Sequence, residues 1–326
     1  MSYVALLYGI LTTALVVLGW RLGDATWWLY LANLTTFYWL APAVLLVPLA
    51  VGKRWWLPAA SCLVAAVVWI ATFAPLFLPQ RPGPSPTLRV ASYNISPEPD
   101  VSHVARLVER ARPDVLLVQE VLREAQPDLV RAVPALPFHH FSPVNTRAAG
   151  GGGTAVLSRF PLIDARPVRG LPAGSRPTDI VTVDTDDGPV DVVSLHLTSP
   201  CRDCATGQSP TQQVDHEAWQ RTAESDRVVA ALVPGHAVIV GGDLNSDTLN
   251  APRRHLVNAG LADVHRAAGS GPGFTRLRSH GLVRIDWLLA SPSLRPVREW
   301  VERRDGSDHR PVVADLALVR AAAHAP

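Results

Sequence analysis

The sequence predicts an α+β protein: packed β-sheets flanked by helices, preceded by three apolar segments long enough to cross a bilayer. Three observations carry that expectation. Charged residues are absent from Met1–Trp20, Ala25–Gly52 and Trp55–Gln80, windows of 20, 28 and 26 residues. A spanning helix needs roughly 20 apolar residues. A Pro- and Gly-rich stretch, "LPQRPGPSPT" at 78–87, then reads as a stiff linker. Beyond it, many short strand patterns alternate with few helical ones, with hairpin-like spacing around 178–197.

The apolar windows read as three uncleaved membrane helices. The first lacks the basic start and the small-residue cleavage site of a signal peptide. The first loop, "RLGD", holds Arg21 and Asp24, whereas "GKRWW" holds Lys53 and Arg54. Positive charge favours the cytoplasmic side, which places the N-terminus inside and everything after the third helix outside the cytoplasm. Trp27, Trp28, Trp55 and Trp56 stand where interfacial anchors belong. The expected organisation is a membrane domain at 1–80, a linker at 81–87, a catalytic domain at 88–319 and a tail at 320–326.

In the outer domain "LRVASYNI", "DVLLVQEV", "TAVLS", "DIVTVDT", "VDVVSLHL", "AVIVGGDLN", "VRIDWLLAS" and "HRPVVADLAL" read as strands. "VSHVARLVERA" is an amphipathic helix with Val104, Leu107, Val108 and Ala111 on one side, and "DHEAWQRTAESDRVVAALV" is a long helix. His139 and His140 in "FHHF" read as strand residues rather than ligands. "AAGGGGTAV" lacks the Lys-Ser/Thr ending of a phosphate-binding loop and reads as a flexible strand entry.

The first 80 residues carry three basic and one acidic residue, leaving 27 of each sign for the remainder. That balance argues against a nucleic-acid surface, which usually shows as an excess of positive charge. Cys62 lies in the third apolar window and reads as an inert packing residue. Cys201 and Cys204 in "CRDC" suit a local disulfide in an oxidising compartment; half a zinc site is the alternative, but no second CxxC exists.

Apolar strands repeatedly finish in groups that bind metal or phosphate: Asn94, Glu120, His196, then Asp243 with Asn245, while Asp286 sits inside one strand. Asp308 and His309 follow in "GSDHRP". Carboxylate and amide oxygens are hard ligands suited to Mg²⁺, Mn²⁺ or Ca²⁺. A His beside an Asp supplies a base for water, so the implied chemistry is metal-assisted hydrolysis at phosphorus.

In order, "SYNI", "QEV", "SLHL", "GGDLNS", "RIDWLLAS" and "GSDHRP" resemble the endonuclease/exonuclease/phosphatase superfamily, which includes DNase I, sphingomyelinases and inositol polyphosphate 5-phosphatases. The resemblance spans about 88–319, "SRFPL" at 158–162 included as a strand. It implies a four-layer α/β/β/α sandwich of the DNase I-like kind and a Mg²⁺ or Mn²⁺ cofactor. By the same resemblance, Glu120 is the principal metal ligand, with Asn94 and Asp308 completing the metal's surroundings. His309 is the general base or orients the attacking water, and Asp286 orients His309. Asp243 helps to position or activate the nucleophile. Asn245 binds a phosphate oxygen, and His196 contacts the phosphoryl group. Arg147 and Arg176, with Arg202, are candidate substrate cations at the rim. Ser96 departs from the pattern, since many relatives carry Asn, Asp or Arg there.

Three spans followed by an outward-facing domain also resemble VanJ-type membrane proteins of Gram-positive bacteria, associated with teicoplanin resistance. That resemblance implies a bilayer partner and a lipid phosphate or pyrophosphate substrate, such as undecaprenyl pyrophosphate. Phospholipid or sphingolipid diesters and DNA are the alternative substrates. A non-catalytic scaffold would show broken motifs, and none of these residues is replaced.

Overall fold

A computed structural model describes residues 1–78, 83–97, 100–144, 152–200, 209–276 and 281–319. Arg147, Arg202, Cys201, Cys204, most of the linker's N-terminal half and the tail lie outside the described residues.

The first and third apolar windows form α1 (Ser2–Leu22) and α4 (Trp56–Phe73), the latter extended by a short 3₁₀ turn. The helices of these windows are long and apolar enough to cross a membrane. The second window, expected as one span, is two helices, α2 (Trp27–Leu34) and α3 (Thr36–Gly52), bent by 62°. The break falls at consecutive threonines whose hydroxyls turn back onto carbonyls of the preceding turn, Thr35 onto Leu31 and Thr36 onto Ala32 and Asn33. Such back-bonding bends helices. Small residues let α1, α3 and α4 approach closely: a Cβ on Gly9 would lie 2.3 Å from Ser61 Oγ, and Ala43, Ala65 and Ala66 are buried. Outward, Val4, Leu7, Leu45, Leu57 and Val67 are exposed, an apolar surface that suits lipid rather than water.

The remaining chain builds two six-stranded sheets. In chain order its elements are β1 (Leu88–Asn94), α5 (Ser102–Ala111), β2 (Val115–Val121), α6 (Gln126–Ala132), β3 (Phe138–Phe141), β4 (Gly153–Ser158), β5 (Leu162–Pro167), β6 (Asp179–Thr185) and β7 (Gly188–His196). There follow α7 (Pro210–Ala231), β8 (Val238–Asp243), α8 (Ala251–Asn258), β9 (Ala262–Asp263), α9 (Val264–Ala268), β10 (Asp286–Ala290), β11 (Leu294–Val301) and β12 (Val312–Leu318). One sheet runs β11-β12-β1-β2-β4-β3 and the other β5-β6-β7-β8-β10-β9.

Period-two alternation explains the layers. Val90, Leu117 and Ala314 of the first sheet meet Val192, Ile239 and Leu288 of the second in a core between the sheets. The opposite faces carry Ala91, Tyr93 and Leu116 beneath α5 and α6, and Val193, Val240 and Trp287 beneath α7 and α8. Burying each Val, Leu or Ile among them contributes roughly 1.5–3 kcal/mol relative to exposure. The result is the four-layer helix/sheet/sheet/helix arrangement expected. Val104, Leu107, Val108 and Ala111 form the buried stripe of α5. One expectation is corrected: "SRFPL" is not a strand. β4 ends at Ser158 and β5 begins at Leu162, so this stretch is the crossing from one sheet to the other.

The helical layer docks on the second sheet's side. Arg266 donates to the carbonyls of Ala71 and Thr72, Gly271 N to Leu76 O, and Tyr38 Oη to Leu282 O. Asp24, between α1 and α2, accepts from Ala251 N at 2.9 Å.

Candidate active site

Register alone gathers most of the expected residues. β1 and β2 pair in parallel, as do β7 and β8, so their C-terminal ends share one rim. His196 lies opposite Asp243, and Asp243 opposite Asp286 on the antiparallel β10. Asn94, His196, Asp243 and Asp286 follow the alternation of Val90, Val192, Ile239 and Leu288, so all four point between the sheets.

Glu120 breaks that rule. Leu116 and Val118 face the outer helices, so regular alternation would send Glu120 there too. Instead the ladder pairs Gln119 with Thr154 and Val121 with Gly153, leaving Glu120 as an inserted residue with φ +65°. A bulge of this kind re-aims a side chain. Here it brings Glu120 Oε1 within 3.1 Å of Asn94 Nδ2. The bulge also accounts for Gly152, because a Cβ there would sit 2.6 Å from the Glu120 backbone. Ser96 and Asn245 share the left-handed conformation, with φ of +59° and +46°. Strain of this type costs of order 1–3 kcal/mol per residue and gathers at functional sites.

Asn94 spaces two carboxylates, its Nδ2 donating to Glu120 and, at 3.0 Å, to Asp243 Oδ2, while its Oδ1 accepts from Ser96 N. His196 Nε2 lies 3.7 Å from both Glu120 Oε1 and Asp243 Oδ2. His309 Nδ1 reaches both oxygens of Asp286, at 3.0 and 2.9 Å, and its Nε2 lies 3.6 Å from Asp243. Asn245 donates its side-chain amide to Leu197 O and its backbone N–H to Asp243 Oδ1. Asp308 occupies the exposed rim, paired with Arg276 at 2.7 Å and accepting from Ser96 Oγ. Its Oδ1 is 4.0 Å from His309 Nε2. Arg176 is buried, and its charge helps to hold the His196 imidazole neutral.

The electrostatics divide the two histidines. Burial first, then the charges of Arg176, His309 and Arg276, hold His196 well below the ordinary imidazole range. Burial would depress His309 too, but Asp286 and Asp243 overcome it and raise this ring to about 9. Burial, and behind it the charges of Asp286 and Glu120, push Asp243 up to about 6 against the opposing pull of His309. At neutral pH the site therefore holds a neutral His196, a charged His309 and a carboxylate more basic than an ordinary Asp.

This donor set fits a hard divalent cation. Three carboxylates crowd one largely buried rim, and the Asp243 carboxyl is raised by its burial first and by the charges of Asp286 and Glu120 after it. Ligand atoms of Asp243, Asp286 and His309 lie within 4.8 Å of one another. His309 and Asp286 already satisfy each other by hydrogen bonding, however. Glu120, with its side chain 20 % exposed and, among the described residues, only the Asn94 amide within hydrogen-bond reach, is the carboxylate suited to an ion.

Several contributors carry no sequence signature. Ser307 Oγ donates to Asn94 O and accepts from His309 N, joining the first motif to the last. Thr275 Oγ1 accepts from the backbone of Ile285 and Asp286. Arg276 is an ordinary arginine until Val283 and His309 bridge it to the site. Gly242 was legible only as part of "GGD"; a Cβ there would lie 1.8 Å from Leu195 O.

Two sheets packed face to face, with acidic and histidine side chains converging at one end, define a phosphoesterase-type sandwich. Residues 91–309 match the model of the Endonuclease/Exonuclease/phosphatase family, and the chain belongs to that family. Among solved structures, an endonuclease/exonuclease/phosphatase from Beutenbergia cavernae is similar at 23% identity, covering 71% of each chain, with TM-score 0.57. A mannosyl-6-phosphatase from Bacteroides thetaiotaomicron is 19% identical over 71% of this chain and 100% of its own, with TM-score 0.54. A 3'-5' exonuclease from Neisseria meningitidis is 20% identical over 70% and 99%, with TM-score 0.51. No curated protein matches the sequence. Members of the family hydrolyse phosphoester bonds and typically depend on a divalent metal.

Proposed function

We propose that the protein is a membrane-anchored, Mg²⁺-dependent phosphohydrolase with an extracytoplasmic site, acting on a lipid phosphate or pyrophosphate of the undecaprenyl pyrophosphate type. One observation carries the lipid assignment: the rim of the site is fastened to the apolar helices. Arg276, paired with Asp308, bridges Val283; the adjacent Leu282 carbonyl accepts from Tyr38 of α3, and Phe274 stacks on Tyr38 at 5.8 Å. Phosphate groups next to such helices belong mostly to lipids. Lys53 and Arg54 follow α3, at the opposite end of that helix from the docked Tyr38, which supports a cytoplasmic second loop under the positive-inside rule. The balanced charge of the outer domain weighs against DNA. The resemblance of the sequence to VanJ-type proteins, with up to three apolar spans ahead of the catalytic domain, supports the same substrate class.

Glu120 would hold the metal, with Asn94 beside it and Asp308 at the rim. Bound there, a divalent cation supplies charge stabilisation for phosphoryl oxygens. Asp243 accepts the proton of the attacking water as the water oxygen bonds to phosphorus. The P–O bond to the leaving group breaks, and the His309 imidazolium stabilises the charge that develops on its oxygen, a phosphate oxygen from a pyrophosphate or, from a monophosphate ester, an alkoxide that takes the His309 proton. This inverts part of the expectation from resemblance, since a ring raised to about 9 is a donor before it is a base. Asp286 fixes its orientation, neutral His196 contacts the phosphoryl group and Asn245 binds one of its oxygens.

The pH dependence follows from these assignments. kcat/KM is expected to rise as Asp243 ionises near 6 and to fall as His309 loses its proton near 9. Asp286 favours the charged ring, so Asp286→Asn lowers the His309 pKa and moves the alkaline limb to lower pH. A limb unmoved in that variant assigns the upper titration to another group.

The substrate test compares phosphate release from undecaprenyl pyrophosphate with cleavage of phospholipid diesters and of DNA. It uses detergent-purified full-length protein with Mg²⁺, and His309→Ala as control. Carrier hydrolysis lost in the control is the expected result. DNA or diester cleavage without carrier turnover overturns the lipid pyrophosphate reading.

A further inference from the structure

The loop after β8, which carries Asn245, is held from outside the catalytic sandwich by the corner between α1 and α2. Asp24, the one acidic residue of the first 80, is 4 % exposed. Its Oδ1 accepts from Asn33 Nδ2 at 2.7 Å and from Asn250 Nδ2 at 3.0 Å, and its Oδ2 accepts from Ala251 N. One carboxylate thus binds α2 to the start of α8. Tyr30, on α2 and 2 % exposed, donates from Oη to the backbone carbonyl of Asn245 at 3.1 Å. The Tyr30 carbonyl also accepts from Asn250 Nδ2. Arg221 of α7 lies 4.4 Å over the Tyr30 ring and donates to Thr198 O at 3.1 Å. The same grip therefore extends to the loop after His196, where Asn245 Nδ2 bonds Leu197 O.

Asn245 sits at φ +46°, a conformation that reverts unless neighbouring contacts fix it. Its own side chain and N–H bind Leu197 and Asp243, but its carbonyl is fixed by Tyr30. Buried hydroxyls and carboxylates are costly unless bonded, and here the hydrogen-bond partners of Asp24 and the Tyr30 hydroxyl lie on α2, on the loop after β8 and at the first residue of α8.

We propose that Asp24 and Tyr30 are positioning residues of the hydrolytic site: the α1–α2 corner sets the Asn245 loop, so that turnover depends on how the apolar helices are seated. The membrane segment is then a working part of the site as well as its tether. This rests on the phosphohydrolase reading above.

The test uses the full chain in detergent, with p-nitrophenyl phosphate and Mg²⁺ as probe. Tyr30→Phe removes only the hydroxyl, and Asp24→Asn keeps the shape while replacing one of the two acceptor oxygens by an N–H donor. Either variant should lower kcat roughly 10–100-fold, as misplacement by about 1 Å does, with KM changed less than about threefold. Amide hydrogen exchange in 244–251 should quicken while exchange in β1 and β12 stays at the parent rate. A purely structural role would instead raise exchange throughout the sandwich and leave kcat per folded molecule unchanged, which overturns the proposal. Parent-like kcat and exchange in both variants overturn it as well. If Tyr30→Phe does not fold, Asp24→Asn alone carries the test. A parent chain no more active than His309→Ala overturns the phosphohydrolase reading and this inference with it, an outcome distinct from an active parent with unaffected variants.

Discussion

His309→Ala is expected to lower turnover at least roughly 10³-fold, the scale of a positioned acid–base group, with metal binding retained. The ring is the one cation wedged between Asp286 and Asp243, and no other described side chain bonds both oxygens of Asp286. Removing it deletes the group proposed to stabilise the phosphoryl oxygens and leaves the carboxylates of Asp286 and Asp243 without the ring between them. Calorimetric titration with Mg²⁺ should still show binding, because Glu120 contacts Asn94 and not His309. Thermal unfolding should register a cost for the lost buried partner, so turnover is to be measured well below the midpoint. Turnover at the parent rate would remove His309 from the mechanism.

Glu120→Ala is expected to abolish activity through the metal. Loss of an outer partner of a ligand already costs about 10–100-fold in affinity, and loss of the ligand itself should cost at least that. Calorimetry with Mg²⁺ or Mn²⁺ reads this without any substrate. Glu120→Gly makes the comparison sharper. Glycine accepts φ +65° freely, so that variant should lose the metal yet gain about 1 kcal/mol of stability from relieved backbone strain. An unchanged metal affinity in both variants would move the cation to the Asp243–Asp286–His309 cluster.

Much of the sandwich was legible because buried strands announce themselves and because polar endings stand out against apolar runs. Asn94, His196, Asp243 and Asp286 follow period two, so their convergence needed only the pairing of strands. Three features were hidden for physical reasons. The Glu120 bulge is a one-residue event in a backbone dihedral, with no compositional trace. The bend between α2 and α3 falls inside a charge-free window, where hydropathy is uniform and only threonine hydroxyls mark the break. Arg276 depends on a long-range bridge between loop residues, and the chain has many arginines from which to choose. β5 and β11 are partly exposed edge strands with mixed patterns, which is why periodicity passed over them.

The inserted residue in β2 separates two properties that are usually entangled. Gln119 and Val121 already face opposite sides and already pair with consecutive residues, Thr154 and Gly153. Deleting the codon for Glu120 would close the ladder, keep every neighbouring side chain on its present face, and remove the carboxylate that suits an ion. The ion-suited carboxylate and the architecture of this chain are thus divisible by three nucleotides, and a lineage could discard the one while inheriting an intact sandwich with its apolar helices.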